Sequence, residues 1–151
     1  MKKLILAAFL VSAFVICSSA QVRTVVNDAA AAQKLAGRHM LSLQWISWDY
    51  FGVANVTNRA DVYSIKGEQK GRGQSASDFV KIDGTITSID AKEFGFKGVI
   101  TMQVSHINEG KPCVRDGEFT FKITGTRKYW RLVQMDNPCD QATDYVDIYF
   151  R

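Results

Sequence analysis

The sequence has few of the residues from which catalytic and metal sites are usually built. Only two of its 151 residues are histidine and three are cysteine, and no CxxC pair is present to bind a metal. It contains neither the GxSxG turn of a serine nucleophile nor the GxxxxGKS/T loop that holds phosphates. His39 and His106 lie at the ends of predicted strands, where a surface role is the simplest interpretation. We therefore expect no catalytic residues, no metal and no cofactor, and an enzyme ranks last among the functions considered below.

Long apolar runs are also scarce, and the one that exists lies at the N-terminus. Lys2 and Lys3 precede an apolar stretch at positions 4–17, and small residues follow at 18–20. This pattern predicts a signal peptide over residues 1–20, with cleavage before Gln21. A lipoprotein signal is disfavoured because the large Ile16 precedes Cys17, and an uncleaved anchor is the remaining alternative. We expect an exported protein, periplasmic or secreted, with no membrane span after cleavage.

The positive charge is too small to indicate a nucleic-acid-binding protein. The full chain has 19 basic and 15 acidic residues, a net charge of +4. Loss of Lys2 and Lys3 with the signal peptide reduces the basic residues to 17, so the net charge falls to +2. The remaining excess is weak compared with that of typical nucleic-acid-binding domains. We expect no nucleic-acid partner.

The two cysteines beyond the signal peptide, Cys113 and Cys139, predict a disulfide bond. An even pair in an exported chain is typical of a cystine. The bond would close a loop of 26 residues, worth roughly 3–4 kcal/mol in the chain-entropy model. Two buried free thiols are the alternative.

Most of the remaining chain shows the two-residue alternation of half-buried β-strands. In the stretch 93–105, Phe94, Phe96, Ile100 and Met102 fall on one parity, with Lys97 on the other. Such alternation places one face in a core and the other in water. The same pattern recurs with Phe119 and Phe121, with Trp130 and Leu132, and with Val146 and Ile148.

The element pattern predicts an all-β protein. About eight strands with short polar connections favour a single antiparallel barrel over residues 39–151, with a β-sandwich as the alternative. Residues 21–38 form an N-terminal segment with a short helix, capped by Asn27 or Asp28 and ended near Gly37. Gly84 is expected at a bend or bulge in the strand Phe79–Ile89.

This architecture is similar to that of calycin-like barrels, including the lipocalins. Lipocalins carry a Gly-x-Trp motif near the first strand, whereas here Gly37 is followed by Arg38 and His39, and the first tryptophan is Trp45. The similarity is therefore one of architecture, and it implies a barrel wide enough for side chains or one small ligand.

Aromatic residues supply the candidate binding positions. The predicted strand Met40–Trp48 is apolar on both faces, so either the N-terminal helix covers its outer face or Trp45, Trp48 and Tyr50 contact a ligand or a protein partner. The candidate lining of an internal cavity consists of the inward residues Phe94, Phe96, Met102, Phe119, Phe121 and Trp130.

The acidic residues near the C-terminus do not form a recognisable calcium loop. The segment 136–147 lacks acids at alternate positions and the glycine that the sharp turn of an EF-hand loop requires. We interpret Asp144 and Asp147 instead as partners for cations such as Arg127 or Arg131 on neighbouring strands.

Two functions fit these observations better than an enzyme does. The first is a non-catalytic barrel that binds a small apolar or amphipathic ligand. The alternative is a protein-interaction or enzyme-inhibitor module acting through its loops, in particular the polar stretch 66–78 and the aromatic cluster 45–51.

Overall fold

The computed structural model describes residues 22–150. The predicted signal peptide lies outside the described residues. Within residues 22–150 the chain forms one short α-helix and nine β-strands. The elements, in chain order, are β1 (Val25–Val26), α1 (Ala29–Leu35), β2 (Gly37–Leu43), β3 (Gly52–Arg59), β4 (Val62–Lys70), β5 (Phe79–Ile89), β6 (Glu93–Gln103), β7 (Cys113–Lys122), β8 (Tyr129–Leu132) and β9 (Val146–Tyr149).

The strands β2 to β9 close into an eight-stranded antiparallel barrel. Each strand pairs with the next one along the chain. The last strand, β9, returns to β2, where Ile148 lies opposite Leu41. The short β1 pairs in parallel with β5 at Ser88 and Ile89. This confirms the predicted barrel with a short helix, and the sandwich alternative does not apply because the sheet closes on itself.

The predicted alternation of buried and exposed residues places a single core inside the barrel. In β6, Phe94, Phe96, Ile100 and Met102 are at most 2% exposed, whereas Lys97 between them is exposed. The other barrel strands contribute residues to the same core, among them Leu41, Val56, Ile65, Ile82, Phe121, Trp130 and Ile148.

Aromatic rings fill much of the barrel interior. Phe94 stacks on Phe121 with ring centroids 5.1 Å apart, and Trp130 meets the edge of Phe94 at 5.9 Å. Phe94, Phe96 and Phe121 are 0% exposed, so no water-sized space remains beside them. Close packing of this kind is typical of a folded core, and it leaves no room for a second molecule next to these rings.

Two facing glycines make room for one of these rings. Gly84 of β5 lies directly opposite Gly98 of β6. A Cβ atom on Gly84 would lie 2.7 Å from the Phe96 ring, and one on Gly98 would lie 2.8 Å from it. Of the bend or bulge expected at Gly84, the bulge is wrong, because the register shift occurs further along, between Ile86 and Ser88.

The helix lies across the end of the barrel formed by the β5–β6 connection and the start of β2. Asp28 caps the helix, accepting a hydrogen bond from the amide of Ala31 at 2.7 Å. The amide of Asp28 itself donates to the carbonyl of Ile89 at 3.3 Å. Leu35, at 1% exposure, joins the barrel core. The sequence correctly predicted both the helix and its cap.

His39 has a buried structural position, so the surface role expected from the sequence is wrong. It is 2% exposed because it shares the inward parity of β2 with Leu41. Its Nδ1 lies 2.9 Å from the carbonyl oxygen of Tyr149, and its Nε2 lies 2.8 Å from that of Leu35. The ring therefore ties α1, β2 and β9 together. His106 is exposed, as expected.

The predicted disulfide is present. The Sγ atoms of Cys113 and Cys139 are 2.10 Å apart, and the Cα atoms are 5.9 Å apart, within the range for a cystine. The bond joins the start of β7 to the irregular segment between β8 and β9. It therefore anchors a stretch that has few strand hydrogen bonds of its own.

We expect reduction of Cys113–Cys139 to lower the free energy of unfolding by about 3–4 kcal/mol, because the unfolded chain regains the freedom of the closed loop. Urea unfolding with and without a reductant measures this change. The double variant Cys113→Ala/Cys139→Ser is the control, since reductant should not alter its midpoint. An unchanged midpoint for the reduced wild-type protein would contradict the prediction.

Candidate functional site

The end of the barrel opposite the helix gathers the longest connections, and we call it the loop end. It consists of residues 44–51, 71–78, 104–112 and 133–145, which connect β2 to β3, β4 to β5, β6 to β7 and β8 to β9. Trp45, Trp48 and Tyr50 all lie in the first of these connections, which we call the aromatic loop. Loops held on a rigid scaffold are the usual carriers of function.

The aromatic loop is a compact turn, and the predicted strand Met40–Trp48 is wrong beyond Leu43. The amide of Ile46 donates to the carbonyl of Leu43 at 3.0 Å, which ends β2. The hydroxyl of Ser47 accepts from the amides of Asp49, at 2.9 Å, and Tyr50, at 3.3 Å. Serine hydroxyls commonly stabilise turns in this way. The helix does not cover this segment, because it lies at the other end of the barrel.

Gln69, at the end of β4, connects the barrel wall to the aromatic loop. Its side chain is 1% exposed. Its Oε1 accepts from the amide of Leu43 at 2.7 Å, and its Nε2 donates to the carbonyls of Tyr50, at 3.0 Å, and Ser47, at 3.4 Å. Both donor hydrogens and the acceptor of the amide are therefore used to hold one loop.

The connection between β4 and β5 is shorter than the sequence suggested, because β4 continues to Lys70. The amide of Gly71 donates to the carbonyl of Asp78 at 2.7 Å, which closes the loop. Asp78 is 1% exposed, and its carboxylate accepts from the amide of Ser105 at 3.0 Å. The guanidinium of Arg72 lies 4.2 Å from the ring centroid of Tyr50. The stretch 66–78 and the aromatic cluster, which the sequence treats separately, are thus neighbours.

A buried ion pair supports the other side of the aromatic loop. The indole Nε1 of Trp45 donates to Oδ1 of Asp144 at 3.1 Å. Asp144 is 0% exposed, and its Oδ2 lies 3.9 Å from Nη1 of Arg115, whose side chain is 7% exposed. Arg115 also donates to the carbonyl of Gln134. The cation that faces Asp144 is therefore Arg115, which the sequence did not single out.

The electrostatics of this pair are dominated by the loss of water. Burial raises the pKa of Asp144 above its usual range, against the opposing effects of the Trp45 hydrogen bond and the Arg115 charge. Burial likewise lowers the pKa of Arg115, which the charge of Asp144 opposes. A buried pair of this kind contributes little net stability, but it fixes the positions of the groups that it touches.

The predicted pairing of Asp147 with a cation on a neighbouring strand is confirmed, and the cation is Arg131. Arg131 donates through Nε and Nη2 to the two oxygens of Asp147, at 2.8 and 2.7 Å. The guanidinium lies 4.1 Å from the ring centroid of Tyr145. The side-chain hydrogen bond to Asp147 raises the pKa of Arg131. β8 is thus an amphipathic strand, as predicted, with Trp130 inward and Arg131 outward.

The loop end exposes aromatic surface. Trp48 is 49% exposed, and Tyr50 and Trp45 are half-buried. Trp45 and His106, whose ring centroids are 5.8 Å apart, line a surface cavity of about 490 Å³ together with Asp140. No group of three metal-ligating side chains that could hold a metal ion occurs within residues 22–150.

The residues predicted to line an internal cavity lie in the barrel and not at the loop end. Within the barrel, Phe94, Phe96, Phe121, Met102 and Trp130 are buried core residues. Phe119 is partly exposed, and its ring lies 5.9 Å from that of Phe96. The structure therefore does not bring the two sets of aromatic candidates into one site.

Comparison with known proteins gives a family. The model of the PM1083 family matches residues 23–150, which span the helix and every barrel strand. The chain belongs to the PM1083 family. It is 46% identical over 133 residues to a relative from Pasteurella multocida (strain Pm70), described as "Uncharacterized protein PM1083". The alignment covers 88% of this chain and 84% of that relative. No solved structure matches the chain significantly. Within the described residues, no helix is both long enough and apolar enough to cross a membrane.

We expect Gln69→Leu to lower the free energy of unfolding by about 1–3 kcal/mol, because the buried amide of Leu43 and the carbonyl of Tyr50 lose their partner. Urea unfolding measures the loss, and amide hydrogen exchange at Leu43 should accelerate. Gln33→Leu, at an exposed position of α1, is the matched control. Unchanged exchange at Leu43 would show that Gln69 does not hold the loop.

The raised pKa of Asp144 predicts a specific pH dependence. Between the ordinary value of 3.8 and the raised folded value, the folded state binds more protons than the unfolded state. The stability contributed by Asp144 therefore falls as pH rises through this window. We expect the wild-type protein to lose stability relative to Asp144→Asn as the pH rises above the ordinary value of 3.8, in urea unfolding at matched ionic strength.

Asp116→Asn, which removes an exposed carboxylate from β7, is the control for that series. A wild-type protein that gains stability relative to Asp144→Asn over the same pH range would mean that Arg115, and not burial, dominates the pKa of Asp144.

Proposed function

We propose that this protein is an exported, non-catalytic binding module that holds a protein partner at its loop end. The observation that carries the proposal is Trp48, a large side chain left 49% exposed on a loop that many hydrogen bonds hold in place. Exposed apolar surface on a rigid support is typical of interaction sites. Tryptophan, tyrosine and arginine are also the residues that most often dominate binding energy at protein interfaces.

The arrangement around Trp48 supports a preorganised contact surface. Tyr50 and Arg72 stack at 4.2 Å, next to the same loop. Gln69 and Asp78, both buried, fix the two loops that carry these side chains. A loop that is already ordered loses little conformational entropy on binding, so more of the contact energy becomes affinity.

Export is the second part of the proposal. The cystine Cys113–Cys139 supports it, because disulfides persist in oxidising compartments and are rare in the cytosol. The predicted signal peptide over residues 1–20 supports the same location. The periplasm and the extracellular space both remain compatible with these features.

A small ligand enclosed inside the barrel is not part of this proposal. The rings of Phe94, Phe96 and Phe121 are 0% exposed and occupy the space that such a ligand would need. Small-molecule sites usually provide an open cavity of 300–1,000 Å³. The surface, and not the interior, is therefore where we place binding.

The test is site-specific photocrosslinking in the host's own exported fraction. We expect a photoreactive phenylalanine at position 48 to crosslink one defined protein, and the same residue at exposed position 57 of β3 to give no such product. The partner, once isolated, should bind Trp48→Ala at least tenfold more weakly, a loss of about 1.4 kcal/mol. The binding of each variant can be measured by calorimetry.

Val25→Ala is the matched control, since Val25 is 57% exposed at the other end of the barrel. This substitution should leave the affinity unchanged. Equal crosslinking from positions 48 and 57, or equal binding by Trp48→Ala and the wild-type protein, would exclude the loop end as the contact surface.

A further inference from the structure

The outer wall of the barrel carries an apolar groove where the alternation of β-strands predicts polar residues. The groove has a volume of about 610 Å³ and follows the outer face of β2. Met40, at 43% exposure, forms part of its floor, and Val53, which pairs with Met40, lies beside it. Elsewhere on the outer wall, the corresponding positions of β4 and β5 are polar, for example Lys66 and Lys81. The groove therefore contrasts with the outer faces of β4 and β5.

Aromatic rings form the walls of the groove. Phe51 lies on one side, and its ring centroid is 5.1 Å from that of Tyr149 on β9. Tyr149 in turn lies 5.0 Å from Tyr129. Phe150 lines the end of the groove next to the helix. Flat rings that surround a narrow groove offer good contact to an alkyl chain or to another ring.

The charged side chains around the groove are positive. Arg38 lines it, and Nζ of Lys34 lies 5.0 Å from the ring centroid of Phe150. Neither cation has an ion-pair partner among residues 22–150. No acidic side chain is found among the described residues that line the groove. The nearby carboxylate of Asp147 on β9 is neutralised by its paired contact with Arg131.

We propose that this groove binds a single amphipathic anion, a molecule with an apolar body and a carboxylate or similar acidic head. The body would lie along Met40 and Val53 between the rings of Phe51 and Phe150, and the head would meet Arg38 and Lys34. The volume suits one free molecule of this kind. The proposal concerns a small ligand on the barrel wall, so it stands apart from the protein partner proposed for the loop end.

The test uses decanoate, which has an apolar chain and a carboxylate, at concentrations below its aggregation limit. Amide chemical shifts of the isotope-labelled protein are followed by NMR during the titration. We expect saturable shifts confined to residues 34, 38–41, 51–53, 149 and 150. Decyltrimethylammonium, with the same chain and the opposite charge, and acetate, with the head alone, should each bind at least tenfold more weakly.

Three variants complete the experiment. Arg38→Glu reverses the charge at the head position, and Phe51→Ala removes one wall, so each should weaken decanoate binding about tenfold. Arg59→Glu makes the same charge change at the tip of the β3–β4 hairpin, outside the groove, and should bind decanoate like the wild-type protein. The unperturbed regions of each NMR spectrum show whether the variant is folded.

Several results would overturn the proposal. These are no saturable decanoate binding, shifts that lie outside the groove, equal binding of the cationic chain, or an equal effect of Arg59→Glu. A further arm uses vesicles that contain phosphatidylglycerol. Co-sedimentation with these vesicles without binding of monomeric decanoate would assign the groove to a membrane surface and exclude the free ligand.

Discussion

The closure of eight strands into a narrow barrel is the constraint on which the rest of this structure depends. When β9 pairs with β2, no barrel strand is left as a free edge, but every strand must then supply side chains that fill the enclosed space. Phe94, Phe121 and Trp130 meet this requirement together. The side chains inside the barrel therefore serve to stabilise the fold. We place the binding surfaces on the outer wall and at the ends of the barrel.

The two ends of the barrel are closed by different means. At one end the short helix places Leu35 in the core. The ring of His39 bridges the carbonyl of Leu35 and that of Tyr149 on β9, and so fastens the helix to the barrel. At the loop end, buried polar side chains such as Gln69 and Asp78 hold irregular chain in place through hydrogen bonds. Buried polar groups are costly unless they are satisfied. Their use at the loop end favours loops of one fixed shape.

The sequence predicts the parts of this fold that depend on local patterns. Phe94, Phe96 and Met102 could be assigned to the core from alternation alone, and Asp28 could be assigned as a cap from its position before four alanines. The bounds of β5 also agree with the predicted strand Phe79–Ile89. These features need only the period of a strand and the chemistry of a helix terminus.

The parts that the sequence misses depend on contacts between distant segments. The bond from Trp45 to Asp144 spans 99 residues, and that from Gln69 to Leu43 spans 26. His39 is polar and near a strand end, so local reasoning places it at the surface, whereas the parity of β2 turns it inward. Had the inward parity of Ile65 been extended along β4, Gln69 would have been found as a buried polar residue. The groove beside Met40 could not be found without knowing that β9 lies next to β2.

The facing pair Gly84 and Gly98 has a consequence for any attempt to give this barrel a hollow centre. Because neither residue has a side chain, the ring of Phe96 packs directly over bare backbone on two adjacent strands. Replacing that ring with a small side chain would leave a cavity that the two glycines have no side chains to fill. Large-to-small changes of this kind cost about 3–5 kcal/mol where the surroundings cannot collapse. Position 96 is therefore the place at which a substitution could create an internal ligand cavity. The binding surfaces that we propose for the natural protein lie on the outside of the barrel.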